Sequence, residues 1–325
     1  MRTRCSDDLL WLVWALCEYA ACCGLTDFLL STQPWRSSPP LREDERDRYE
    51  TPSVTPTGST LLEHGRTALD CCLRRGLGPH GLPWFGSGDW NDGLDAVDGE
   101  SVWLGWFLSL CCDGFAALLE RLKLPGAGRY REWAEQLGRA ADAAWGGRWY
   151  YRGYTANGAP LGGPDRLDAL PQAWAALSPW ADPERVDRAL DACLDRLVDE
   201  ERRLVRLFDP PYTTDEPSPG YLVSYGAGFR ENGGQYTHAA IWLARAFLRR
   251  GRRDTALHLL ALLLPEGRDL SRYEAEPFVL PADVCTAPGR EGEAGWTWYT
   301  GSAGWFWRVL REALEAPGAA DENPD

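Results

Sequence analysis

The chain is expected to be all-α, and three features of the sequence point that way. Apolar residues recur at helical spacing in long stretches, while alternating strand patterns hardly occur. Helix-start and helix-stop signals bracket most of those stretches. The connections between them are long and hold tight clusters of Gly, Trp, Asp and Glu. Such elements pair into a ring or layered array in which loops converge at one end and build a pocket. No exact internal repeat supports a fixed-period solenoid.

Taken in order, Ser6-Asp7-Asp8 is expected to cap a first helix through LLWLVWALCEYAACC that stops at Gly24, the acids lying at the positive end of the dipole. Residues 31–57, rich in Pro, Ser and charge, read as a long surface connection. A second helix follows Gly58-Ser59. A glycine-rich loop, HGLPWFGSGDWNDGLDAVDG, leads to a strongly apolar helix from about Glu100, buried on most sides. Further helices are expected over 129–144, 167–177, 183–199, 234–250, 253–263 and 302–314, with a frayed, polar tail.

Composition limits the functions. The chain has 325 residues, 44% hydrophobic and 25% charged, the balance of a folded globular protein. The net charge of −14 disfavours nucleic acid and anionic lipid as bulk partners, although a local basic pocket can still hold an anion. No apolar run is expected to approach the roughly 18–20 residues of a membrane span. The opening MRTRCSDD lacks a secretion-signal core, so a cytoplasmic location is expected. Six of the ten cysteines sit as adjacent pairs in helical stretches with no CxxC spacing, which fits small buried thiols better than zinc or disulfides. The 17 Trp serve either a core or the apolar faces of sugars.

Four clusters carry chemistry. In Gly86-Ser87-Gly88-Asp89-Trp90-Asn91-Asp92-Gly93, two acids flank Trp-Asn in a loop whose glycines let backbone approach a ligand. A carboxyl against an indole is desolvated and suited to general-acid work; the plain alternative is a turn whose acids bond backbone amides. Arg230-Glu231-Asn232-Gly233-Gly234-Gln235-Tyr236-Thr237-His238 places hydrogen-bonding side chains at a helix start, a fit for hydroxyls, with His238 either catalytic or structural. Thr300-Gly301-Ser302 opens the last helix, where free amides and the dipole favour phosphate, or form an ordinary cap. Arg2, Arg4, Asp7 and Asp8 suit either a sugar site or a salt-bridged terminal helix.

Together with GESVWLGWFL, RWYYRGY, QAWA, EPFVLPADV and GWTWYTGSAGW, these segments are spread in order over residues 2–308. The set resembles glycoside hydrolase family 94, the inverting phosphorylases of β-linked glucosides, and in particular the C-terminal phosphorylase-like region of cyclic β-1,2-glucan synthases and 1,2-β-oligoglucan phosphorylases. The resemblance implies an (α/α)6 barrel over residues 1–314, incomplete at its N-terminus, with a disordered tail at 315–325 and the family's N-terminal β-sandwich absent. It implies Asp92 as general acid and Trp90 lining the sugar site. Arg2, Asp8 and Glu231 would hold the glucose, and His238, Thr300 and Gly301 the phosphate. The implied reaction is phosphorolysis of β-glucan oligosaccharides, β-1,2-linked by likeness, with phosphate as co-substrate and neither metal nor cofactor. Two other readings stay open: an inverting hydrolase in which Glu231 or another acid activates water, and an inactive carbohydrate-binding fragment. The partners in view are the oligosaccharide and phosphate, an upstream polypeptide supplying the missing domain, and a second copy forming a homodimer. The cytoplasmic location would also suit the cytoplasmic part of a membrane-bound synthase, with no direct membrane insertion by this chain.

Overall fold

The computed structural model describes residues 2–24, 26–214 and 218–316. The expected tail beyond residue 316 lies outside the described residues. The helices are α1 (Asp8–Cys23), α2 (Leu61–Arg74), α3 (Val102–Arg121), α4 (Ala127–Ala143), α5 (Ala169–Ala175), α6 (Pro183–Leu197), α7 (Thr237–Arg249), α8 (Arg253–Leu263), the short α9 (Leu270–Tyr273) and α10 (Thr300–Glu315). Apart from α9, each lies within a few residues of its expected place. The chain divides into two compact units: Met1–Ala141 with Tyr154–Gly158, and Asp142–Gly153 with Ala159–Asp325.

In the first unit, α1 packs on α2 and α3. Gly24 stops α1 in the left-handed conformation, its N–H donating to the Ala20 carbonyl (3.2 Å). Thr60 caps α2 by accepting from Glu63 N–H at 3.2 Å, one residue after the expected Gly58-Ser59 start. Ser101 caps α3 by accepting from Leu104 N–H at 3.0 Å. Trp103, Trp106, Phe107 and Phe115 of α3 are all fully buried. By length and composition α3 is apolar enough to span a membrane, contrary to the expectation that no run comes close. Most of it is buried inside the fold, as the central helix of a globular core is.

The connection over 31–57 departs from the expectation. It contains strands: β1 (Arg2–Thr3) pairs with β3 (Asp47–Arg48), and β2 (Thr32–Ser37) pairs with β4 (Ser53–Thr60), both antiparallel. The second pair shifts register between Pro34 and Arg36, where proline has no N–H for the ladder.

In the second unit, α7 packs on α5, α8 and α10, and α6 covers α5. Asp182 caps α6 ahead of Pro183, accepting from the N–H groups of Glu184 (2.9 Å) and Arg185 (3.1 Å). Arg245 in α7 is buried and bonds both Glu312 carboxylate oxygens of α10, at 3.1 and 3.2 Å. That fork needs a bidentate partner to offset its desolvation. Among the ten free cysteines, Cys72, Cys111, Cys112, Cys193 and Cys285 are buried, but Cys22 and Cys23 are exposed at the end of α1.

Candidate active site

The first unit joins the N-terminal segment to the loop that carries Asp92. Ser6 N–H donates to the Gly88 carbonyl (2.9 Å), Ser87 N–H donates to the Arg4 carbonyl (3.2 Å), and Cys5 bridges Gly86. Gly88 has φ +110, and a Cβ there would sit 2.9 Å from the Asp92 Cα, so the turn accepts only glycine.

The two acids of this loop have different environments. Asp89 is buried; its carboxylate accepts from the Asn91 N–H (3.0 Å) and the Ser101 hydroxyl (2.7 Å), anchoring the loop to the start of α3. It therefore follows the plain alternative of a turn acid. Asp92 is exposed and Trp90 half-buried. The sequence reading expected an indole to take the Asp92 carboxyl out of water; here solvent reaches it.

Arg2 and Asp8 come together at a cavity of about 430 Å3, which Thr3, Cys5, Leu9, Arg36, Ser38, Glu50, Pro52 and Arg75 also line. Asp8 accepts a hydrogen bond from the Thr3 hydroxyl. Arg2 is half-exposed and bonded on one side to Ser38 and Glu50. Asp92 and Trp90 are not among the residues lining this cavity.

Asp7 makes no side-chain cap bond at the start of α1. Instead it is buried, accepting from the Trp11 indole N–H at 2.8 Å. Burial pushes its carboxyl up to about 7, and the Asp89 charge adds to the shift. The sequence names both acids in this cluster, and the family resemblance singles out Asp8 rather than the buried Asp7. The signal for Asp7 was its i, i+4 spacing with Trp11, which sets the two side chains on one face of a helix.

In the second unit, Glu231 is buried beside Arg230, with 3.5 Å between Arg230 Nε and its carboxylate. The Arg230 guanidinium also lies over the rings of Tyr225 and Trp296, at 4.9 and 4.8 Å. Asn232 and Gln235, read as hydroxyl binders, hold backbone instead. Asn232 bonds the Tyr212 N–H and carbonyl (2.8 and 3.1 Å) and the Tyr225 carbonyl (2.8 Å), while Gln235 accepts from Val205 N–H (2.9 Å).

His238, the second residue of α7, stacks on Trp242 at 5.1 Å and 16°. Desolvation among these rings pushes the imidazole down to about 4, against a backbone hydrogen bond at Gly301. A Cβ at Gly301 would lie 3.1 Å from His238 Nε2, so glycine lets the imidazole meet the start of α10. Thr300 is the first residue of that helix, and Tyr299 supplies no side-chain cap. Ser302 and Thr237, each buried at a helix start, have hydroxyls without a partner among the described residues. Buried hydroxyls left in that state ask for a ligand or water.

Asp283 is a further acid the sequence reading missed. It lies on the two-residue strand Asp283–Val284, paired with Gln235–Tyr236. Burial raises its carboxyl above the ordinary range, while the Arg230 charge opposes the shift. The signal was the acid inside EPFVLPADV.

Residues 1–314 match the family model described as the glycosyl hydrolase 94 superfamily, catalytic domain. The chain is similar to the cyclic beta-(1,2)-glucan synthase NdvB of Rhizobium meliloti (strain 1021), 41% identical over 97% of this chain and 12% of that protein. It is 29% identical to the solabiose phosphorylase of Paenibacillus borealis over 82% of the chain and 36% of the relative. With the N,N'-diacetylchitobiose phosphorylase of Vibrio proteolyticus it shares 27% identity over 94% of the chain and 37% of the relative. The chain thus spans a small part of the synthase and just over a third of each phosphorylase. Among solved structures, a glycosidase in complex with glucose matches with a TM-score of 0.60 and 15% identity, covering 97% of this chain and 68% of that one. Likeness at that identity bears on the fold, and it agrees with the (α/α)6-barrel class expected from the sequence.

Proposed function

This chain belongs to the glycosyl hydrolase 94 superfamily, and from that premise we propose that it carries out inverting phosphorolysis of β-linked gluco-oligosaccharides, β-1,2-glucans among them. What supports the reading most is the meeting of Arg2 and Asp8 at one cavity in a segment hydrogen-bonded to the Asp92 loop.

In the proposed reaction the glucose occupies the cavity, its hydroxyls held by Asp8 and the Arg2 guanidinium. Asp92 donates its proton to the glycosidic oxygen as the bond to the anomeric carbon breaks. Phosphate forms the new bond from the opposite face, so a β-glucoside yields α-glucose 1-phosphate and a shortened saccharide. An inverting hydrolase needs a second carboxylate to activate water, whereas phosphate arrives already anionic.

For the phosphate we assign His238, Thr300 and Gly301, joined by the hydroxyls of Ser302 and Thr237. The low pKa of His238 makes it a neutral hydrogen-bonding partner at neutral pH, so the start of α10 supplies the positive potential there. Trp90 would stack on a sugar, and Glu231 would bind sugar hydroxyls.

Phosphate-dependent release of glucose 1-phosphate from β-1,2-gluco-oligosaccharides by the full-length protein tests the reading. Asp92→Asn is expected to lower turnover by about 10²–10⁴-fold. Undiminished turnover in that variant removes the assigned acid, and free glucose released equally fast without phosphate makes the enzyme a hydrolase.

A further inference from the structure

The segment from Thr32 to Thr60, which overlaps the surface connection expected over 31–57, contacts both the Arg2–Arg4 segment and the loop that carries Asp92. Arg46 is ion-paired with Asp95, three residues beyond Asp92. The backbone carbonyls of Arg42 and Glu45 accept from the Arg4 guanidinium (2.6 and 2.8 Å), and the Arg46 carbonyl accepts from Arg4 N–H (3.0 Å). Arg36, Ser38, Glu50 and Pro52 supply one side of the 430 Å3 cavity that Arg2 and Asp8 line.

Glu50 is the centre of that side. Its carboxylate accepts from Arg2 Nε at 3.2 Å, from Arg48 Nε at 3.0 Å and from the Ser38 hydroxyl at 2.5 Å. Ser38 Oγ in turn accepts from Arg2 Nη2 at 2.7 Å. Arg48 is itself fixed by Glu45 (2.9 Å) and the Pro39 carbonyl (2.5 Å), and β1–β3 pairing sets Arg2 opposite Arg48. The Nε/Nη2 edge of the Arg2 guanidinium is therefore engaged, leaving Nη1 without a partner among the described residues. An arginine already held in one orientation loses little further freedom when it binds a ligand. The cavity's volume lies in the range of about 300–1,000 Å3 typical of ligand pockets. Its mixture of guanidinium and carboxylate groups suits vicinal hydroxyls better than an anion. Arg36, exposed at the rim, has no ion-pair partner among the described residues.

We propose that Thr32–Thr60 is a wall of the saccharide site and that Glu50 is the positioning residue that orients Arg2 toward the sugar. This rests on the assignment of Arg2 to sugar binding made above.

The test is a double-mutant cycle in the full-length protein. Glu50→Ala is expected to raise the saccharide KM about tenfold while the phosphate KM stays within about twofold. Because Glu50 acts through Arg2, adding Glu50→Ala to Arg2→Ala is expected to change the saccharide KM by less than about twofold. An unchanged saccharide KM in the single variant, or full additivity in the double, overturns the proposal. If Glu50→Ala fails to fold, the near-isosteric Glu50→Gln carries the same test. Calorimetric titration with a β-1,2-glucotetraose separates this proposal from the assigned reaction. Binding that weakens in the Glu50 variants, with no turnover in the parent, ends the phosphorylase reading and leaves this one standing. No saccharide binding by the parent overturns this one.

Discussion

Asp7 is buried against Trp11, while its neighbour Asp8 faces solvent at the cavity, because successive helical side chains point about 100° apart. The consequence for Asp7 is a pH-dependent stability. In the unfolded chain its carboxyl ionises near the ordinary 3.8; in the folded protein it does so near 7. Between those values the folded state keeps a proton that the unfolded state has released, so stability falls as pH rises through the window. The full effect is on the order of 4 kcal/mol. Asp7→Asn, which keeps an acceptor for Trp11, is expected to flatten the dependence of the unfolding midpoint on pH from about 4 to 7. The variant should match or exceed the parent above neutral pH. A retained slope would place the titration elsewhere. Asp7 and Asp8 look alike in the sequence, and only the packing of Trp11 and the nearness of Asp89 divide their roles.

The long helices were legible because each carries its own signals. α1 ends at a left-handed Gly24, α2 follows Thr60 with Glu63 three residues on, and Pro183 opens α6 behind Asp182. The β2–β4 pair was not legible. Its strands are exposed on both faces, so no apolar residue alternates to mark the period of two. Between helix and loop, Ser101 does two jobs, capping α3 and donating to Asp89. Ser101→Ala is expected to cost about 1–3 kcal/mol, read as a lower urea midpoint with unchanged m-value. A loss near zero would mean that the Asp92 loop is anchored by other contacts.

A ligand that binds only the folded chain raises its stability as a whole, so the assigned phosphate site has a thermodynamic signature. Inorganic phosphate at about 100 times its Kd should add about 2.7 kcal/mol. Gly301→Ala, whose new methyl would press on His238, is expected to abolish that increment while leaving the phosphate-free midpoint within about 1 kcal/mol. A thermal scan with and without phosphate decides it, and an equal increment in parent and variant would remove Gly301 from the site. Family membership, the all-α class and nearly every long helix were determined by the sequence alone, because capping, periodicity and ordered motifs are local properties of the chain. Tertiary structure alone decided which acid of each pair is buried, that Asn232 and Gln235 hold backbone, and that residues 32–60 wall a cavity. Those outcomes depend on which distant groups pack together, and the desolvation and pairing that set a side chain's role exist only after they have done so.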